Sequence, residues 1–172
     1  MKLIGKKIVI LIENLYEDLE VWFPYYRLIE EGAEVIIVGP EKKEYKGKYG
    51  YPAMADMDIN GLEVNEIDAV LIPGGFAPDY LRRYDTVVNL VKTAFAKGKI
   101  IAAICHGPSV LVNAEVLNGK KATSFMAIKA DVINAGAEFL DQEVVQDETL
   151  ITSRRPQDLP AFCQAIIEAL QS

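Results

Sequence analysis

The chain has 172 residues, a formal net charge of -7, 51% hydrophobic residues and 25% charged residues. This length suits a single domain that buries roughly 70% of the surface of its unfolded chain, and the acidic balance argues against non-specific nucleic-acid binding. One histidine, His106, and two cysteines, Cys105 and Cys163, cannot supply a four-ligand zinc site or a disulfide framework. We therefore expect a protein of the reducing cytoplasm that acts on small molecules or on other proteins.

The first predicted element is an apolar strand from Lys7 to Ile12. It is too short to span a membrane and lacks a signal-peptide cleavage site, so no membrane association is expected. Its β-branched run without polar alternation is typical of a strand that is buried on both faces of a parallel sheet. Strand-like and helix-like segments alternate over the rest of the chain, which predicts one α/β domain over residues 1–172.

The remaining predicted elements follow in chain order. Strands are predicted at Ala33–Val38, Asp68–Ile72, Lys99–Ile104 and around Glu143–Val145 and Leu150–Thr152, and helices at Glu17–Glu31, Asp85–Lys97, Pro108–Ala114, Ile128–Asn134 and Pro156–Leu170. Pro24 should kink or bend the first helix. The glycine-containing segment Tyr45–Tyr51 predicts a turn or hairpin.

The most informative segment is the junction at which the strand Lys99–Ile104 runs directly into Cys105, His106 and Gly107 before a helix begins. A strand-to-helix turn of this kind holds a nucleophile in a strained backbone with its side chain exposed. The helix amino terminus should lower the pKa of the Cys105 thiol and favour the reactive thiolate. The alternative is an inert buried cysteine, with His106 as a polar turn residue.

Two further features should lie at the same sheet edge. Gly74 and Gly75 end the strand Asp68–Ile72, and their backbone N–H groups are candidates for an oxyanion hole, although a simple turn also explains them. Glu17 follows the first strand, where its carboxyl group either enters the crevice or complements the helix dipole. No phosphate-binding glycine motif occurs, so no nucleotide is implied and we expect no cofactor.

Several segments in order resemble the ThiJ/PfpI superfamily, specifically its PfpI-type branch. They are Ala103–Pro108, Leu71–Gly75, Tyr16–Glu20, Tyr25–Gly32, Ile133–Glu138, Thr152–Arg154 and Asp158–Phe162. The resemblance runs nearly end to end. It implies a flavodoxin-like three-layer sandwich with a mostly parallel sheet, related to class I glutamine amidotransferases, that assembles as a homodimer or homohexamer.

The resemblance also implies roles for individual residues. Cys105 would be the nucleophile, and Glu17 would be a protonated carboxyl group that donates a hydrogen bond to the sulfur. The backbone amides of Gly75 and His106 would form the oxyanion site. In peptidase-like members, a glutamate from the neighbouring subunit orients the histidine; the matching residue here is Asp79, which is one methylene shorter.

Three functions follow as hypotheses. The first is a stress-related, cofactor-free enzyme that uses Cys105 on reactive carbonyls or glycated amines, as a glyoxalase or deglycase does, with a small carbonyl compound or a glycated protein as substrate. The second is an intracellular cysteine peptidase that uses Cys105, His106 and Asp79. The third is a redox sensor or holdase without enzymatic activity, in which Cys105 is oxidised.

Overall fold

The computed structural model describes residues 1–171 and contains one large sheet between two layers of helices. The strands are β1 Lys7–Leu11, β2 Glu34–Gly39, β3 Glu44–Lys46, β4 Pro52–Met54, β5 Met57–Asp58, β6 Ala69–Ile72, β7 Ile100–Ile104, β8 Lys121–Ala122, β9 Glu138–Phe139, β10 Val144–Asp147 and β11 Leu150–Ser153. The helices are α1 Asp18–Glu30, α2 Ala77–Leu81, α3 Asp85–Ala96, α4 Pro108–Asn113, α5 Lys129–Asn134 and α6 Leu159–Gln171.

The seven-stranded sheet has the order β10-β11-β7-β6-β1-β2-β5. Its neighbouring strands pair in parallel except for β10, which is antiparallel to β11 at one edge. The expected flavodoxin-like sandwich with a mostly parallel sheet is therefore confirmed. None of the helices in residues 1–171 is long and apolar enough to cross a membrane.

The side chains of β1 alternate between the two faces of the sheet, which explains the three layers of the fold. Ile8 and Ile10 belong to a core shared with α1 and α6, whereas Val9 belongs to a second core shared with α3 and α4 on the other face. Successive side chains of a strand point to opposite faces, so a strand covered on both sides must be apolar at every position. The unbroken apolar run in the sequence was therefore the correct signal for a central strand.

The predicted elements are present with shifted ends. The hairpin predicted at Tyr45–Tyr51 is formed by β3 and β4, which pair antiparallel. Helix α1 continues through Pro24 as one helix. The closing segment begins with a 3-10 turn at Pro156–Asp158 before α6. The short elements β5, β8, β9 and α2 were not predicted, because two to five residues are too few to establish a periodic pattern.

Candidate active site

Cys105 lies in the turn between β7 and α4, at the carboxyl end of a central strand. Its φ angle is 61°, in the left-handed region that costs about 1–3 kcal/mol for a residue with a Cβ. Gly107 permits the turn, because a Cβ there would lie 2.5 Å from the carbonyl oxygen of Ile72. The strained strand-to-helix junction expected from the sequence is thus present, and it directs the side chain of Cys105 out of the sheet edge.

The Cys105 side chain is largely buried, which corrects the expectation that this junction exposes it, because the side chain packs against the core on the α1 side of the sheet. Its Sγ atom lies 3.3 Å from Nδ1 of His106, and the residue is 9% exposed. Burial, and secondly the charge of the Glu20 carboxylate, raise the pKa of the Cys105 thiol to about 12, while the backbone N–H groups of Gly75 and His106 oppose this rise. The pKa of Cys105 is therefore shifted in the direction opposite to the one expected from the helix amino terminus, and burial, which disfavours the thiolate, is the largest cause.

Glu20 is the carboxyl group that faces this thiol. Its side chain is fully buried, and its Oε2 accepts a hydrogen bond of 2.6 Å from the N–H of Gly74. A Cβ on Gly74 would lie 2.5 Å from Glu20 Oε2 and 3.1 Å from Cys105 Sγ, so only glycine admits both groups. The carboxyl group and the thiol therefore flank one backbone position.

Burial raises the pKa of Glu20 to about 8, and the charge of Glu17 adds to the rise. Oε1 of Glu20 has no hydrogen-bond partner within residues 1–171, which also favours the protonated carboxyl group. The hydrogen bond from the N–H of Gly74, and then the charge of Lys48 and the neighbouring Cys105 thiol, favour the charged form and partly offset the shift. Glu20 and Cys105 consequently titrate as a coupled pair that loses its first proton in the neutral to weakly alkaline range.

The expected role of Glu17 does not match its position. Glu17 precedes the first turn of α1, and its Oε2 lies 2.6 Å from Nζ of Lys48 instead of contacting the sulfur. Glu20 lies one turn further along the helix and points under the sheet edge. A signal for Glu20 was present in the sequence, because Glu20, Pro24 and Leu28 repeat every four residues and share the buried face of α1.

The two glycines have different roles. The N–H of Gly74 is already donated to Glu20, so the expectation that it contributes to an oxyanion hole is wrong. The N–H of Gly75 faces the sulfur, as does that of His106. Gly75 has a φ angle of 75°, and a Cβ there would lie 2.4 Å from the carbonyl oxygen of Leu15. Only glycine therefore allows this N–H to point into the site.

Asp79 lies outside this group within one chain. It belongs to α2, its side chain is 63% exposed, and it forms an ion pair with Arg83. The His106 ring packs against Phe125 with 5.1 Å between ring centroids, and burial lowers the pKa of His106. The structure thus brings Cys105 and His106 together but does not bring Asp79 to them in the same chain.

A pocket of about 610 Å³ opens above the thiol. Cys105 and His106 lie in its wall together with the ion pair of Glu17 and Lys48 and with apolar side chains that include Phe76. Its volume falls within the range of small-molecule sites. Among the residues that the structure describes, no cluster of three or more His, Cys, Asp or Glu side chains could hold a metal ion. Lys48 was missed by the sequence analysis, because it reaches the site from a hairpin distant in sequence.

An α/β sandwich with a cysteine in a strained strand-to-helix turn defines a class of cysteine-dependent proteins. Comparison with known sequences narrows this class, since the profile of the DJ-1/PfpI family matches residues 6–169. The chain therefore belongs to the DJ-1/PfpI family, and the resemblance noted from the sequence is confirmed.

Individual relatives match over nearly their whole length. The chain is 42% identical over 165 residues to "Deglycase PfpI" of Pyrococcus furiosus, covering 96% of this chain and 99% of the relative. It is 42% identical over 171 residues to "General stress protein 18" of Bacillus subtilis, covering 97% of this chain and 99% of the relative. It is also 39% identical over 168 residues to YraA of the same organism, whose name describes it as a candidate cysteine protease. This match covers 97% of this chain and 99% of the relative.

Solved structures agree in fold. A two-domain protein of Anabaena variabilis with DJ-1/ThiJ/PfpI-like and ferritin-like domains has 46% identity and a TM-score of 0.94, covering 96% of this chain. This chain spans about half of that protein, 48% of its length. Drosophila melanogaster DJ-1beta has 27% identity and a TM-score of 0.91, with coverages of 96% and 90%.

Proposed function

We propose that the protein is a cytoplasmic, cofactor-free enzyme that uses Cys105 to act on reactive carbonyl compounds or on the glycated amines that they form. The observation that carries the proposal is a thiol that lines the pocket, with the buried Glu20 carboxyl group of raised pKa next to it and two backbone N–H groups that face the sulfur. The relatives named as a deglycase and as a general stress protein support the same assignment.

The first chemical step is thiolate formation. In the singly ionised pair, Glu20 takes the thiol proton, so the negative charge moves to the sulfur. The sulfur then adds to the aldehyde carbon of a substrate such as methylglyoxal. The carbonyl electron pair moves to the oxygen, the N–H groups of Gly75 and His106 stabilise the developing charge, and Glu20 returns the proton. The product of this step is a hemithioacetal on Cys105.

The second step converts this adduct. Glu20 or the His106 side chain removes the proton from the carbon bound to sulfur and returns a proton to the neighbouring carbon. This transfer produces a thioester of lactate, and water then cleaves the carbon–sulfur bond to release lactate and restore the thiol. With a glycated amine, attack by Cys105 displaces the amine, which leaves with a proton supplied by the same groups.

Methylglyoxal consumption by the purified protein tests this proposal. The variant Cys105→Ser should lose the activity, because a serine hydroxyl is a much weaker nucleophile. Cys163→Ala is a matched control, since Cys163 is also a buried free thiol but lies in α6. An inactive wild-type protein, or full activity in Cys105→Ser, would refute the proposal.

A peptidase function is the second candidate, and the contact of 3.3 Å between Cys105 Sγ and His106 Nδ1 favours it. It requires Asp79 to reach His106 from a neighbouring subunit, since Asp79 is exposed and paired with Arg83 in its own chain. Under this hypothesis Asp79→Ala abolishes hydrolysis of a fluorogenic peptide. Unchanged hydrolysis would exclude that role for Asp79.

We further propose that the chain assembles as a homodimer or homohexamer. Support comes from apolar side chains on the outer face of α1, where Leu19 is 57% exposed and Tyr26 is 61% exposed. Isolated exposed apolar residues are common, but two on one face together with Phe23 are typical of an association surface. Light scattering after size-exclusion chromatography measures the mass, and a monomer at micromolar concentration would contradict the proposal.

A further inference from the structure

Lys48 brings a positive charge into the pocket from outside the sheet. It lies at the tip of the hairpin between β3 and β4, and its side chain is 32% exposed. Its Nζ atom is 2.6 Å from Glu17 Oε2 and 5.1 Å from the centroid of the Tyr49 ring. Lys48 lines the same pocket as Cys105 and His106, and its charge acts on the Cys105 thiol across that pocket.

The hairpin is held in place by backbone contacts that do not involve the Lys48 side chain. The Asp18 carboxylate accepts hydrogen bonds of 3.1 and 3.2 Å from the N–H groups of Tyr49 and Tyr51. The N–H of Lys48 donates to the carbonyl oxygen of Tyr16 at 2.9 Å. Gly47 allows the close approach of Asp18, because a Cβ there would lie 2.4 Å from its Oδ1. The position of the hairpin therefore does not depend on the Lys48 side chain, whose ammonium group pairs with Glu17 in the pocket.

The charge of Lys48 affects the pKa values of Cys105, Glu20 and His106. Its charge lowers the pKa of Cys105 and of Glu20, and it adds to the effect of burial that lowers the pKa of His106. The charged and titratable groups around the sulfur are Glu20 from α1, His106 from the turn and Lys48 from the hairpin. Glu17 acts through Lys48, because its carboxylate raises the pKa of the ammonium group and offsets its charge.

We propose that Lys48 is a positioning residue for Cys105: its ammonium group, delivered by the β3–β4 hairpin, stabilises the anionic sulfur, and Glu17 limits this stabilisation by pairing with Lys48. The inference rests on the proposed role of Cys105 as nucleophile. It assigns the pair of Glu17 and Lys48 a function that is distinct from proton transfer, which belongs to Glu20. Without Lys48, the anionic sulfur would lie beside Glu20 with no positive charge to oppose the two negative groups.

The test is the pH dependence of Cys105 alkylation by iodoacetamide, an uncharged reagent whose approach is insensitive to the charge of the pocket. All variants carry Cys163→Ala, so mass spectrometry follows a single thiol. Lys48→Met should move the midpoint of the pH profile upward by about one unit, which makes alkylation about tenfold slower at a given pH below the midpoint. Lys48→Arg should restore most of the rate because it keeps the charge.

Two further variants make the result specific. Glu17→Gln removes the opposing carboxylate and should move the midpoint downward, in the direction opposite to Lys48→Met. Lys46→Met is the matched control, because Lys46 lies on the same hairpin with an exposed side chain and its removal should leave the profile unchanged. Coincident profiles for wild type and Lys48→Met, or an upward shift in Glu17→Gln, would overturn the inference.

The alkylation assay needs no substrate, so it separates this inference from the proposed function. If the midpoint moves as expected and methylglyoxal is not consumed, the role of Lys48 stands and the proposed reaction fails. If methylglyoxal is consumed and the midpoint does not depend on Lys48, the reaction stands and the role of Lys48 is excluded. Melting curves of each variant, followed by circular dichroism, confirm that the compared proteins are folded.

Discussion

Replacing Glu20 with glutamine should make the protein more stable at neutral pH and less active. Glutamine has the shape of glutamate, and its amide oxygen keeps the hydrogen bond that Oε2 accepts from the N–H of Gly74. The change removes a carboxyl group that is fully buried beside a thiol. It therefore isolates the cost of ionising Glu20 from the loss of packing.

The magnitude follows from the shift of the Glu20 pKa. The pKa is raised from 4.5 to about 8 in the folded protein, chiefly by burial. The folded state consequently binds this proton more tightly than the unfolded state, and the resulting stabilisation is present below pH 4.5 and is lost as the pH rises to about 8. The loss in the free energy of unfolding amounts to about 5 kcal/mol as an upper value.

Urea unfolding of wild type and Glu20→Gln between pH 5 and pH 8.5 measures this effect. As the pH rises over this range, the free energy of unfolding of wild type should fall relative to that of Glu20→Gln by several kcal/mol. The exposed Glu63 provides a control, because Glu63→Gln should run parallel to wild type. Parallel curves for Glu20→Gln as well would show that Glu20 ionises normally, and the coupled-pair mechanism would then fail. The same variant should consume methylglyoxal about 100-fold more slowly or worse, since it lacks the proton acceptor.

Three further predictions follow from the same site. The value of kcat/KM for methylglyoxal should rise with pH, with a midpoint near 8. The reason is that the pair of Cys105 and Glu20, whose carboxyl pKa is about 8, must lose one proton before the sulfur attacks. A value of kcat/KM that is constant from pH 6 to 9 contradicts this. Gly75→Ala should lower the free energy of unfolding by about 3 kcal/mol or more and abolish activity, since its Cβ would lie 2.4 Å from the carbonyl oxygen of Leu15; thermal melts and carbonyl assays check both effects. Mild peroxide should oxidise Cys105, which lines the pocket, before Cys163, which is 1% exposed; mass spectrometry that finds Cys105 unmodified would exclude the redox-sensor hypothesis.

The site was only partly predictable from the sequence. The junction at Cys105 was recognisable because a buried strand, a small turn residue and a helix start are all local features. The sequence analysis assigned the carboxyl role to Glu17 and did not weigh Glu20. Both glutamates lie near the start of α1, and their distance from the strand end does not show which one turns inward. The fourfold spacing of Glu20 with Pro24 and Leu28 identifies the inward face.

The sequence by itself determined the layered α/β fold and the position of the nucleophile, because both depend on patterns among neighbouring residues. An unbroken apolar run such as residues 8–11 has to be covered on both faces, whatever packs against it. Only the tertiary structure decided the chemistry around Cys105. Glu20 and Lys48 come from elements far apart in the chain, and burial first, then the distance between charges, sets the pKa values of Glu20 and Cys105. Local sequence patterns do not encode that distance.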